Sequence, residues 1–92
     1  MIRRYSLASF HVDSTQGPNG TKIDYTLVFN ERSEMRVEEC RTYNDPFQAD
    51  TVLQIESKQF DNYSVEGVPL RELVRKKLEQ ILPEKEIHQN GR

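Results

Sequence analysis

Cys40, His11 and His88 are the side chains here best suited to nucleophilic or metal chemistry, and their spacing joins none of them. A metal site needs several converging Cys, His or carboxylate ligands. Cys40 and His11 could act as nucleophile and base only if the fold brought them within hydrogen-bond reach. A lone cysteine in a strand otherwise reads as a small hydrophobe. Glu31, Glu34, Glu38 and Glu39 form an acidic run. Burial of one of them beside another could raise its pKa and make an acid–base pair. The simpler reading is a solvated strand face paired across strands with Arg or Lys. The 4 glycines are too scattered to cradle a phosphate. The sequence therefore assigns no catalytic residue, no metal ligand and no cofactor, and the chain reads as not an enzyme.

Arg71, Arg75, Lys76 and Lys77 are a second kind of constellation. Arg71 and Arg75 are one helical turn apart, so they could meet phosphates together, with Lys77 beside them. Glu72 and Glu79 dilute this patch, and cations toward a helix C-terminus also answer its dipole. Arg71, Arg75 and Lys77 are the nucleic-acid-binding candidates.

A third set is Arg32-x-x-x-Arg36 followed by Asn62-x-Ser64-x-x-Gly67. In that order the two motifs resemble those of PilZ domains, which bind cyclic di-GMP. The resemblance covers only these few positions. It implies that Arg32 and Arg36 grip phosphate and guanine while Asn62 and Ser64 complete the site.

The elements that must position these groups are constrained by length. A chain of 92 residues makes one small core, with little volume left for a deep dry cleft. Hydrophobic residues are 35% of the chain, so that core is thin and open to completion by a partner. With 13 basic and 15 acidic residues the net charge is −2, and no overall field draws the chain to nucleic acid or anionic lipid. One cysteine permits no internal disulfide. Met1 to Ser6 shows two arginines and no apolar stretch behind them, so the expected location is cytoplasmic. No run is apolar enough to span a membrane.

Residues 2–13 read as a first strand. Tyr5 and Leu7 share one parity while Ala8, Phe10 and Val12 share the other, so a bulge near Leu7-Ala8, or cover on both faces, is expected. Residues 14–21 form a loop, marked by Gly17-Pro18 and Asn19-Gly20. Residues 22–30 alternate Ile23, Tyr25, Leu27 and Phe29 against polar neighbours, with Val28 the exception. A hairpin at 30–33 leads to a third strand over 34–43. Residues 51–57 read as a fourth strand, with a helix capped by Asp45 and led by Pro46 as the rival. A brief strand near 62–65 follows.

Gly67 and Pro69 then open a helix whose Leu70, Leu73, Val74, Leu78, Ile81 and Leu82 form one stripe. Glu72 and Lys76 are an i,i+4 pair within it, and Pro83 is expected to end it. The fold class is α+β: an antiparallel meander of three to five strands with one C-terminal amphipathic helix packed on one face. Residues 1–83 form a single domain and 84–92 a polar, frayed tail.

The functional expectation is a small protein-binding module: an inhibitor, an immunity- or antitoxin-like partner, an adaptor or an assembly subunit. Tyr43, Phe47, Phe60 and Tyr63 stand outside the main pattern and are the candidate anchors, with filling of the second side of the core as the alternative. The expected partner is another protein or a second copy in a homodimer. Nucleic acid comes next, a small molecule last, and a membrane is not expected.

Overall fold

The computed structural model describes the backbone of residues 1–12 and 20–90, and side chains as far as Ile81. Gly17-Pro18, Asn19, the side chains of Leu82 and His88, and Gly91 lie outside the described residues. The chain divides into two compact units, Met1–Ser57 and Lys58–Arg92.

In the first unit, four antiparallel strands run in sequence order: β1 (Arg3–His11), β2 (Lys22–Phe29), β3 (Met35–Thr42) and β4 (Thr51–Glu56). The meander expected from the alternation is present, and 51–56 is a strand rather than a helix. In the register, Tyr5 faces Leu27, Leu27 faces Val37 and Val37 faces Ile55. Directly opposed residues share a face. That face carries Ile23, Tyr25, Leu27, Val37 and Ile55, all buried. Each large apolar side chain buried there contributes about 1.5–3 kcal/mol.

The parity flip in β1 is resolved by a bulge. Ser6 faces Thr26 and Ala8 faces Tyr25, so Leu7 is the extra residue. Arg3 and Tyr5 before it and Ala8 and Phe10 after it then point the same way. Phe10 stacks on Tyr25 at 6.3 Å between centroids, and Tyr5 meets Phe29 edge-on at 6.0 Å. Val28, the exception in β2, is fully buried on the opposite, polar face. Its neighbours in the register are Arg4 and Arg36, whose methylene stems suit that cover.

The β2–β3 hairpin is built on Asn30. Its Oδ1 accepts from the backbone N–H of Arg32 at 2.8 Å and of Glu34 at 3.0 Å. Ser33 takes the left-handed conformation, φ 64°, which closes a type I turn into a bulge.

The second unit begins in a 3-10 helix, Ser57–Asn62, followed by β5 (Ser64–Val65), β6 (Val68–Pro69) and α1 (Leu70–Asn90). β5 and β6 pair as a hairpin of their own. Glu66 (φ 50°) and Gly67 (φ 82°) fill its two-residue turn, and both left-handed angles fit a type I′ turn. Gly67 therefore sits in a hairpin turn rather than opening the helix, and Pro69 closes β6. Among the described residues, Phe60, Val65, Leu70 and Val74 are the buried side chains of this unit.

The helix does not stop at Pro83. It continues to Asn90. Proline's fixed φ is itself helical, so its missing N–H costs one backbone bond without barring further turns. Glu84, Lys85, Glu86 and Gln89 are good helix formers and carry the helix on.

Candidate functional site

β4 is an edge strand, and its sequence leaves that edge open. Among the described residues no strand pairs with its outer side. Natural edges are blunted by lysine, proline or a bulge. Thr51-Val52-Leu53-Gln54-Ile55 contains no charge, no proline and, against β3, no register shift. Ile55 points to the buried face, whereas Val52 is 58% and Leu53 43% exposed. Two large apolar side chains thus flank an edge that no strand covers among the described residues.

The loop before β4 adds an aromatic side chain. Asp45 Oδ1 accepts from the Phe47 N–H at 2.9 Å, and the Gln48 N–H donates to the Asp45 carbonyl at 3.1 Å. With Pro46 between them this is a tight turn, not the first turn of a helix. It holds Phe47 outward at 96% exposure.

The four aromatic candidates separate. Phe47 is exposed, Tyr43 and Tyr63 are half-buried, and Phe60 is 1% exposed. Phe60 is therefore a core side chain and not a surface anchor. The Arg71 guanidinium lies 5.8 Å from its ring centroid. The Tyr63 carbonyl accepts from the Leu70 N–H at 3.0 Å and so fixes the start of α1. Val52 and Leu53 were not among the expected anchors. Their signal was present in the sequence: a stretch from Thr51 to Ile55 without charge, in which Val52 breaks the alternation.

The basic candidates on α1 are engaged or dispersed. Arg71 Nε donates to Asp61 at 2.6 Å. Arg75 is gripped by Glu72 and Glu79, and Glu72 is held below its usual carboxylate range by that partner. Glu72 thus turns to Arg75, where the spacing pointed to Lys76. At about 100° per residue, Lys77 lies about 120° around the helix from Arg71 and falls in the stripe of Leu70, Val74 and Ile81. It is half-buried there. Arg71, Arg75 and Lys77 do not form one cationic face.

The acidic run is divided by the pleat. Glu38 lies on the polar face, bonded by Arg4 at 2.7 Å and Arg36 at 3.0 Å. The bond from Arg4, with help from Arg36, lowers its pKa against the opposing effect of burial. Glu39 lies on the buried face, where the Tyr25 hydroxyl donates to it at 2.5 Å and Arg41 Nε at 3.0 Å. Burial and the Glu39 carboxylate push the Tyr25 phenol above its ordinary value. Glu38 and Glu39 do hold arginines, but Arg36 and Arg41 lie two residues away on β3 itself, and only Arg4 reaches over from another strand.

Cys40 and His11 share the polar face but sit on β3 and β1 with β2 between them. Two strand spacings are about 10 Å, far beyond nucleophile–base reach. Among the described residues no three His, Cys, Asp or Glu converge. None of the described helices is long and apolar enough to cross a membrane.

The PilZ-like residues fall in both units. Arg32 is in the β2–β3 turn and Arg36 in β3 bonded to Glu38; Asn62 ends the 3-10 helix, Ser64 opens β5 and Gly67 is in the β5–β6 turn. Arg36 lines an open hollow of about 570 Å³ at the hairpin end of the sheet, with Asn30, Ser33, Glu34, Gln54 and Glu56. Two carboxylates in that lining oppose an anionic nucleotide.

Compared with family models, curated proteins and solved structures, the chain matches none.

Proposed function

We propose that this chain is a protein-binding module whose recognition element is the outer edge of β4, with Phe47 as its aromatic anchor. The observation that carries the reading is the exposure of Val52 and Leu53 on an edge strand that, among the described residues, has a neighbour only on its β3 side. Such an edge accepts an extended segment of another chain. Main-chain hydrogen bonds supply the affinity, and alternate side chains supply the selectivity. Phe47, presented on a closed turn, costs little ordering entropy on binding. The nucleic-acid reading has less support, because Arg71 and Arg75 already hold carboxylate partners. The cyclic di-GMP reading rests on motif spacing alone.

The test is affinity capture from source cells with the tagged full chain and three variants. Val52→Lys places a charge on the edge, and Phe47→Ala removes the anchor. Both sites are exposed, so circular dichroism and the melting temperature should stay at wild-type values. Partner recovery should collapse for Val52→Lys and fall for Phe47→Ala. The third variant, Arg71→Glu, should leave it unchanged. Undiminished recovery by Val52→Lys would remove β4 as the binding element.

A further inference from the structure

We infer that the strand which pairs with β4 is β4 of a second copy of this chain, in a symmetric dimer whose two-fold axis passes through Val52. This rests on the edge reading above and names its occupant.

Two copies joined edge to edge by antiparallel strands are related by a two-fold axis perpendicular to the sheet. Directly opposite residues share a face, so the axis must pass through a residue position. Each choice of position fixes every cross-strand neighbour. An axis at Leu53 sets Asp50 against Glu56 of the partner subunit, twice per dimer. An axis at Gln54 sets the exposed Val52 against the partner's Glu56, and an axis at Thr51 sets it against the partner's Asp50. An axis at Ile55 moves it past the end of the partner's strand at Glu56 and leaves it without a cross-strand neighbour. An axis at Val52 is different: Val52 meets its own copy, Leu53 meets the partner's Thr51, and Asp50 meets the partner's Gln54. No like charges oppose each other, and the apolar side chains that β4 exposes are covered together. Like charges directly across a strand pair are unfavourable, and apolar β-branched pairs are favourable. Self-pairing also covers an edge that carries no lysine, proline or bulge between Thr51 and Ile55.

Sedimentation velocity on the full chain tests this. The wild type should sediment at twice the monomer mass at high micromolar concentration and dissociate on dilution. Val52→Lys puts two ammonium groups face to face at the axis and should sediment as a monomer with an unchanged circular dichroism spectrum. Cysteine scanning reports the register. With Cys40→Ser in the background, Val52→Cys should form a disulfide dimer in air, because opposed Cα atoms lie within bonding range. Leu53→Cys should not, because in this register the two 53 positions are about 8 Å apart. A monomeric wild type, or a dimer indifferent to Val52→Lys, overturns the inference. Cross-linking at 53 in preference to 52 overturns the register. A monomeric wild type whose capture of a different protein is abolished by Val52→Lys overturns self-pairing and leaves the edge reading standing; capture equally indifferent to Val52→Lys overturns both.

Discussion

Phe47 and Phe60 are the same side chain in opposite surroundings, and the contrast is measurable. Phe60 is 1% exposed and Phe47 96%. Emptying a buried phenylalanine site costs about 3–5 kcal/mol, from lost transfer energy and the cavity left behind. Phe60→Ala should therefore lower the melting temperature by more than about 10 °C in a domain of this size. Phe47→Ala should stay within about 0.5 kcal/mol of wild type. Equal melts for the two variants would contradict this assignment. Nothing in the local sequence separates these residues, since each follows a turn-forming or polar stretch. Glu38 is a second residue-level case. Its folded pKa is depressed by Arg4 and Arg36, so its stabilising effect is full above the unfolded carboxylate value of about 4.3. That effect fades as pH falls through the lower folded value. Glu38→Gln should be less stable than wild type by about 1 kcal/mol at neutral pH, since Arg4 is solvent-exposed and screened. The two unfolding curves should converge in acid. A gap that persists in acid would mean that the charge is not responsible.

At the scale of elements, the β2–β3 hairpin carries an avoidable strain. Ser33 holds φ 64°, a region that costs a residue with a Cβ about 1 kcal/mol and glycine almost nothing. Its hydroxyl receives only a long 3.5 Å contact from Arg3. Ser33→Gly should raise the unfolding free energy by about 0.5–1 kcal/mol in urea denaturation; destabilisation would show that the Arg3 contact matters more than the backbone. Much at this scale was legible in the sequence. The alternation of Ile23, Tyr25, Leu27 and Phe29 reported β2, and the broken parity at Leu7-Ala8 reported the bulge, because both are properties of one strand's own period. The β5–β6 hairpin was harder to read. Its strands have two residues each, too few for any period to show. The end of α1 was misread at Pro83 because a proline rule weighs one bond, whereas a helix sums the preferences of many neighbours.

At the scale of the whole molecule, a formal charge of −2 leaves no long-range attraction for polyanions. Arg71 and Arg75 spend their charge on Asp61, Glu72 and Glu79. Heparin chromatography should release the chain at low salt, and reversing Arg71 and Arg75 to Glu should shift its elution little. Retention into high salt that those reversals abolish would restore the nucleic-acid reading. By itself the sequence determined the α+β class, the meander order, the inward residues of β2 and the near-neutral field. Each follows from local periodicity, turn chemistry or composition. Only the tertiary structure decided which aromatic side chains are covered, which arginine each glutamate meets, and that β4 stands at an edge with Val52 and Leu53 exposed. Those outcomes depend on which strand lies beside which, and a residue's own neighbours in sequence carry no record of that.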